Sequence, residues 1–520
     1  MNKSEEDFSN KKIARSAGVI GLATLVSRVL GFIRDIVIAQ LFGVYLYAQA
    51  FVIAFKIPNL FRDLVGEGAV NSAVVPVFAG YLAEDKKAEF WELCNTLMNL
   101  LLVVLAGITV LGMIFSPVLV RLIAPGFAGD PAQFAVTVKL NRLIFPYILL
   151  IGLAAYSMGI LNSLRHFSVP AFAPCLLNIS IIICALAWGE GIRGLASGVL
   201  IGGVLQLAVQ LPVLYRKGFR FRLTRQFKHP AISQIGRLLA PRLFSSAIYQ
   251  LNNFVDTIFG SLAFIVGQGG VAALYFAYRL IQFPLGIFGN SLSQAILPNL
   301  SCQAANNEPG KLKDTLCFGL RSILFVMIPA SAGFMVLSRL IISSLFMGGR
   351  FDAYAASATS SALFFYSIGL FAYGCVKILQ CGFFALKDTV TPTVVSAIAL
   401  VINIFLNAAL MYPLKLKGMA LATSISGIFS CLALFYIIDR KLGGLDKKAL
   451  AVFIFKVSLA SAGMALVCWL AERANPQVSA HIVSRLFNLM FPICCGMAAY
   501  VGFSLLLGLD QARSLLRLHK

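Results

Sequence analysis

The sequence has 520 residues, of which 59% are hydrophobic and only 12% are charged, and its mean hydropathy is +0.86. This composition excludes a soluble globular protein. Because strand-type alternation is absent and only helices and closed barrels span a bilayer, we predict an all-α polytopic membrane protein. We attribute the formal net charge of +22 to basic cytoplasmic loops and not to nucleic-acid binding.

Fourteen apolar segments are long enough to be membrane spans. The second, eighth and tenth are longer than a bilayer requires, so we expect kinks, tilt or extension there, with Pro58 as a kink site in the second. The first follows several lysines but lacks a cleavage site, so we interpret it as a retained helix. The spans lie near 16–43, 47–82, 91–121, 135–163, 170–189, 193–215, 235–266, 270–300, 315–346, 353–384, 392–413, 417–439, 449–471 and 484–508.

Basic residues are concentrated in alternate loops. The largest run lies in the loop 216–234, whereas the loops 43–47 and 266–270 contain no Lys or Arg. The positive-inside rule therefore places both termini in the cytoplasm, which requires an even number of spans. We expect a multi-pass protein of the bacterial inner membrane.

An internal repeat divides the chain into two six-helix lobes. Five similar positions recur at shifts of 221 to 223 residues, and since six is an even number the two lobes share one orientation. We predict an N-lobe at 1–234 that includes the basic linker 216–234, a C-lobe at 235–440, and an additional helix pair within 441–520. The matched positions are Asp35 and Asp256, Lys56 and Arg279, Pro76 and Pro298, Ser116 and Ser338, and Pro170 and Pro392.

Charged residues interrupt the first two spans and their counterparts in the second lobe, whereas most other spans carry none. Because a charge at bilayer depth costs roughly 2.5–3.5 kcal/mol on insertion scales, we expect helices 1, 2, 7 and 8 to line a central cleft. Arginine binds phosphate oxygens with two parallel hydrogen bonds and stays charged at any relevant pH. The surplus of positive charge therefore favours a pyrophosphate ligand. The candidate substrate-binding residues are Arg28, Arg34, Asp35, Lys56, Arg62, Glu67 and Arg279.

Structural roles remain open for several of these residues. Arg28 and Asp35 share one helix face and could simply form an ion pair, and other arginines could extend to the membrane interface. Asp256 is a lone carboxylate in an apolar stretch, where it could bind a coupling cation, sodium or a proton. It could equally accept a hydrogen bond from Asn252, Asn253 or a neighbouring helix.

Enzyme and metal signatures are absent from the sequence. There is no P-loop, no G-x-S-x-G and no H-E-x-x-H motif. The eleven cysteines include no CxxC pair, and the four histidines are far apart, so we expect neither a metal site nor another cofactor. Any energy for transport would come from an ion gradient or the membrane potential.

Several motifs together resemble the MurJ (MviN) family of lipid II flippases. The stretch 27–35 is similar to the first-helix motif of that family, and 54–62 with Glu67-Gly68-Ala69 is similar to its second-helix motif. Further similar segments are 124–127, 145–150, 170–174, and Arg279-Leu280 with Phe283-Pro284. The resemblance covers about residues 13–440 and is weaker beyond them.

The resemblance implies membership of the multidrug/oligosaccharidyl-lipid/polysaccharide exporter superfamily and a groove for a polyprenyl tail beside the last two helices. It implies movement of lipid II, an undecaprenyl-pyrophosphate-linked peptidoglycan precursor, to the periplasmic leaflet by alternating access, with no enzymatic activity. The partners would be lipid II and membrane lipids, with no nucleic acid, and we expect a monomer. By motif match, the family's cavity-arginine positions are occupied by Arg28, Arg34, Arg62 and Arg279. Its matching polar positions are occupied by Asp35, Lys56 and Glu67.

Three residues depart from the family pattern. Gln49, Tyr278 and Gln282 stand where some relatives carry acids, which makes this cavity more basic. Rival functions are a flippase for another polyprenyl-linked glycan and a non-transporting scaffold for cell-wall enzymes. A drug or cation antiporter of the same fold is disfavoured, since a cationic cargo calls for an acidic or aromatic cavity.

Overall fold

A computed structural model describes residues 3–64, 70–189, 191–224, 231–237, 254–474 and 482–517, and gives only the backbone for 3–17, 61–64, 70–73, 482–483 and 514–517. Within these ranges the regular structure is helical apart from one isolated β-bridge between Gly348 and Phe351. The predicted all-α class is confirmed. The chain forms two compact units, Met1–Ile258 and Phe259–Lys520, while the predicted boundaries at 234 and 440 stay predictions.

The described part of the first unit is a bundle of helices. A 3-10 turn at Pro125–Gly129 and a helical stretch at 231–237 complete it, and the helix at 254–260, called α11, begins in this unit. Its other helices are α1 (Lys3–Phe42), α2 (Leu46–Leu64), α3 (Val70–Ala83), α4 (Lys87–Ile114), α5 (Ser116–Ile123), α6 (Pro131–Ile144), α7 (Tyr147–Ser163), α8 (Ser168–Trp188), α9 (Ile192–Ala208) and α10 (Leu211–Lys217).

The second unit is likewise a bundle of helices, and one of its long spans contains a π-helical segment at Leu285–Gly289. Its helices are α12 (Ala263–Val266), α13 (Gly270–Pro284), α14 (Asn290–Ala305), α15 (Pro309–Phe346), α16 (Ala353–Ser367), α17 (Leu370–Ala385), α18 (Val390–Leu414), α19 (Leu416–Lys441), α20 (Lys447–Ala474), α21 (Ile482–Leu506) and α22 (Asp510–Arg517).

Ten helices in the described residues are long and apolar enough to cross a membrane, or eleven if the bent pair α16 and α17 is one span. The apolar parts of α2 and α3, Leu46–Leu60 and Val74–Ala83, are shorter. The predicted number of fourteen spans stays a prediction. One expected irregularity is confirmed, because the tenth predicted span bends by 45° between α16 and α17. The eighth predicted span contains the π-helical segment, and a kink or tilt in it stays a prediction.

Close packing against α19 accompanies the bend between α16 and α17. A Cβ on Gly369, which lies at the bend, would approach the Cα of Ser424 to 2.8 Å, so only glycine fits without a shift. The Ser424 hydroxyl donates a hydrogen bond of 2.7 Å to the Phe365 carbonyl. Carbonyls at a helix break lose their helical partners and need another donor in the bilayer, and Ser424 is that donor here.

Aromatic side chains take part in the largely aliphatic core of the first unit. Phe78 on α3 packs edge-to-face against Phe90 on α4 at 5.3 Å between ring centroids, and both are fully buried. The Tyr156 hydroxyl on α7 donates to the Cys94 carbonyl at 2.9 Å, which satisfies the one polar atom that this ring buries. Such a core holds α3, α4 and α7 together and supports the helices that carry the charges.

An acidic residue fastens the turn between α17 and α18. Asp388 pairs with Lys441 and accepts hydrogen bonds from the Thr391 amide at 2.9 Å and the Thr391 hydroxyl at 2.6 Å. These contacts, with the bond from Lys441 first, hold the pKa of the Asp388 carboxyl well below its usual range. The turn thereby links the beginning of α18 to the end of α19.

Candidate functional site

The charged cluster on α1 centres on a buried ion pair between neighbouring residues. Arg34 and Asp35 are 4% and 0% exposed. The Nη2 and Nε atoms of Arg34 donate to Asp35 Oδ1 at 2.7 and 3.0 Å. Adjacent residues on a helix do not normally face each other, so the long arginine side chain must curve around to meet its neighbour.

Contacts from two other helices hold the arginine in this curved position. Its Nη1 atom donates to Asn178 Oδ1 on α8 at 3.2 Å, and its guanidinium lies 5.7 Å from the centre of the Phe55 ring on α2. The amide group of Asn178 in turn donates to the Ser27 carbonyl on α1 at 3.1 Å. The guanidinium is therefore fixed by an acid, an amide and an aromatic face, an arrangement that orients a buried arginine.

Arg28 occupies a different environment from Arg34. Its side chain is half-buried, and within the described residues it forms neither an ion pair nor a side-chain hydrogen bond. The alternative in which Arg28 pairs with Asp35 is wrong in this structure, because the partner of Asp35 is Arg34. Among the side chains of α1 that the structure describes, Arg28 is thus a cation available to an anionic ligand.

Lys56 on α2 is directed towards α11 within the first unit. Its ammonium donates a hydrogen bond to the Thr257 hydroxyl and lies 5.1 Å from the centre of the Phe254 ring. It is also close enough to Asp256 for electrostatic attraction. Asp256 therefore serves as a counter-charge to Lys56, a pairing that the sequence pattern did not suggest.

The remaining predicted site residues lie in the second unit or outside the described residues. Arg62 belongs to α2, but its side chain is outside the described residues, as is Glu67 altogether. Arg279 is half-buried on α13, shortly before Pro284 and the π-helical segment. The structure brings together Arg34 with Asp35, and Lys56 with Asp256.

The residues that depart from the family pattern have ordinary packing environments. Gln49 is buried in α2, and Gln282 is exposed on α13. The ring of Tyr278 contacts that of Tyr366 at 5.4 Å between centroids. These three neutral residues contribute no negative charge to α2 and α13.

Polar residues that the sequence interpretation missed join the last helices of the second lobe. Asn403 and Asn407 on α18 are fully buried. The Asn407 amide donates to Asn403 Oδ1 at 3.0 Å, and the Asn403 amide donates to the Thr423 hydroxyl on α19 at 3.2 Å. Two asparagines four residues apart in an apolar helix are a sequence pattern from which this network could have been predicted. No such pattern accompanies Asn178, and the sequence analysis did not identify it.

Charged side chains within apolar helices, several of them held by polar or aromatic partners, are typical of polytopic α-helical membrane proteins such as secondary transporters. The fold itself is similar to one that has been solved before. A solved structure described as an inward-facing conformation of a multidrug resistance MATE family transporter of the MOP superfamily matches with a TM-score of 0.69 at 15% identity, over 80% of this chain and 94% of that chain.

More specific similarity comes from the sequence. The family described as "Lipid II flippase MurJ" matches residues 38–488. A curated relative from Buchnera aphidicola, named "Probable lipid II flippase MurJ", is 34% identical over 86% of this chain and 88% of its own length. A solved structure described as "Lipid II flippase MurJ, inward closed conformation" matches with a TM-score of 0.79 at 28% identity, over 95% of this chain and 99% of that chain. The chain belongs to the lipid II flippase MurJ family.

Proposed function

We propose that this chain moves lipid II, the undecaprenyl-pyrophosphate-linked peptidoglycan precursor, from the cytoplasmic to the periplasmic leaflet by alternating access of its two lobes. It would work as a monomer in the inner membrane with both termini in the cytoplasm. The polyprenyl tail would follow a groove near α20 and α21. Family membership supports lipid II as the substrate and its movement between leaflets as the process. The charged residues of the helices support binding of the substrate through its pyrophosphate.

The observation that carries the binding mechanism is the state of Arg28. A half-buried guanidinium without an acidic partner among the described residues is unfavourable in an empty membrane protein and favourable beside a pyrophosphate. Arg28 lies six residues before Arg34, which is less than two helical turns or about 9 Å along α1. A diphosphate bound by Arg28 would therefore lie close to the Arg34–Asp35 pair.

Arg34 and Asp35 have a different part in this proposal. Because Asp35 and Asn178 already occupy the guanidinium of Arg34, we propose that Arg34 contacts substrate in a conformation in which it exchanges one of these partners for a phosphate oxygen. Arg62, Glu67 and Arg279 remain proposed ligand contacts on the basis of their family motifs. Asp35 orients the arginine and prevents an uncompensated buried charge when no substrate is bound.

For coupling, we propose that Asp256 responds to a cation, sodium or a proton, through its attraction to Lys56. A cation bound at Asp256 would weaken its attraction to Lys56, and the Lys56–Thr257 contact would then be easier to break. The membrane potential could also help to return the empty, positively charged site, since one charge moved through 100 mV is worth about 2.3 kcal/mol. Translocation that is unchanged after the potential is dissipated would contradict this second contribution.

The test is replacement of the chromosomal copy by variants, with an assay of lipid II in the outer leaflet. We expect Arg28→Ala and Arg279→Ala to insert in the membrane at normal levels and to lose lipid II export. Arg193→Ala is the matched control, because Arg193 is an exposed arginine outside the proposed site. Normal export by Arg28→Ala would refute the binding mechanism, and support of growth by variants that do not export lipid II would favour the scaffold role.

A further inference from the structure

The segment that follows α10 is fastened to α4 by its backbone. The last two residues of α10 and the segment after it, residues 216–224, are called here the basic strap. Backbone groups of Arg220 and Arg222 in this strap bond to two asparagines of α4. Asn95 donates to the Arg220 carbonyl at 3.3 Å and accepts from the Arg222 amide at 3.0 Å, while Asn99 donates to the Arg222 carbonyl at 2.8 Å. The two asparagine side chains thus supply the hydrogen-bond partners that a neighbouring strand would otherwise provide to this segment.

The start of the basic strap is shaped by a glycine and an aromatic pair. Gly218 ends α10 with a φ of +109°, a value that favours glycine. The chain then turns inward, so that Phe219 is buried against Trp91 on α4 at 6.1 Å between ring centroids. The basic strap therefore has a fixed path at the end of a membrane-spanning segment, Ile192–Lys217.

The side chains that this path exposes are basic and apolar in alternation. Arg216, Lys217 and Arg222 are exposed. Between and beyond them, Phe221 and Leu223 are 44% and 78% exposed. Exposed apolar groups next to basic groups at the end of a membrane span are typical of a surface that lies at the lipid headgroups, where the apolar groups enter the acyl region.

We propose that the basic strap binds the anionic phospholipid headgroups of the leaflet in which α10 ends. Arg216, Lys217 and Arg222 would contact the phosphates, while Phe221 and Leu223 would insert between the acyl chains. The exposed Glu89 and Glu92 near the start of α4 do not cancel the local positive charge, because Arg220 adds a fourth cation. A soluble acidic partner is disfavoured, since it would leave Leu223 without an apolar environment.

Binding of headgroups by the basic strap can be measured on the full-length protein without lipid II. The variant Phe221→Trp, in a background where Trp91, Trp188 and Trp469 are replaced by Phe, places a single fluorophore on the basic strap. In nanodiscs of phosphatidylcholine with increasing phosphatidylglycerol, we expect the emission to shift to shorter wavelengths and quenching by brominated acyl chains to increase. High salt should weaken the effect of phosphatidylglycerol because it screens exposed charges.

Two variants and one control separate the effect of charge from the effect of backbone docking. Arg222→Gln should raise the phosphatidylglycerol fraction needed for half of the shift by roughly fivefold, as expected for one basic residue at an anionic surface. Arg193→Gln, at the other end of the same membrane span, should leave it unchanged. Asn95→Ala/Asn99→Ala keeps every charge but releases the backbone, and it should abolish most of the shift while the protein still elutes as a single species.

Three results would overturn the proposal. One is a water-exposed emission in both lipid mixtures, which would leave a soluble acidic partner as the occupant of the basic strap. Another is an effect of Arg193→Gln as large as that of Arg222→Gln, which would indicate a general charge effect. The third is an unchanged lipid response of the asparagine variant, which would mean that the docked path is irrelevant to binding.

Discussion

Replacing Asp35 by Asn tests whether its carboxylate compensates the buried charge of Arg34. The carboxylate is fully buried, and one of its oxygens accepts both bonds from the guanidinium, at 2.7 and 3.0 Å. Removing one partner of a buried ion pair costs about 3–5 kcal/mol. Since an amide keeps a hydrogen-bond acceptor at this position, we expect a loss near the lower end, about 3 kcal/mol.

The measurement is the unfolding of the purified protein in detergent, by heat and by denaturant, compared with the unmodified chain. Glu308→Gln is the matched control, because Glu308 pairs with Lys311 at an exposed position, with side chains 36% and 68% exposed. Such a surface pair contributes about 0–1 kcal/mol. Equal stability of the Asp35→Asn variant and the unmodified chain would refute the reasoning.

A double replacement of the pair distinguishes its structural part from its part in transport. Arg34→Met with Asp35→Leu removes both charges and leaves groups of similar shape, and such a change is often neutral or stabilising. We expect the double variant to recover the stability lost in Asp35→Asn but to have little lipid II export. Normal export by a stable double variant would show that Arg34 is a purely structural residue.

Three further changes follow from other contacts. Lys56→Met removes the donor to Thr257 and a counter-charge, so we expect lower thermal stability and weaker translocation than in Lys56→Arg, which keeps the charge. Gly369→Val places a branched side chain against the backbone of Ser424, and overpacking of this kind costs about 1–3 kcal/mol, measurable as a lower melting temperature. The pKa of Asp388 is lower in the folded state than in the unfolded state. The ionised carboxylate therefore stabilises the fold above a pH of about 4, the usual pKa of a carboxyl group, and this stabilisation is lost as the pH falls below that value. Asp388→Asn should flatten that part of the stability–pH profile, and an unchanged profile would contradict the assigned role.

Much of the fold class and the family could be predicted from the sequence alone. The length of apolar segments, the charge of loops and the recurrence of similar residues can be read directly from the sequence. These properties suffice to predict the fold class because the bilayer admits few structures and each spanning helix must satisfy its own backbone hydrogen bonds. The kink expected in the tenth span also followed from its length. The second span is different, since its predicted length of 47–82 includes residues outside the description.

The sequence by itself identified which helices carry charge, through the cost of burying charge in lipid. Only the tertiary structure decided the partners, because periodicity gives the face of a helix and not the groups that approach it. Arg28 and Asp35 share a face, yet Asp35 binds Arg34, since Asn178 and Phe55 arrive from α8 and α2 and confine that side chain. In the same way Lys56 meets Thr257, 201 residues away along the chain, a pairing that depends on how α2 packs against α11.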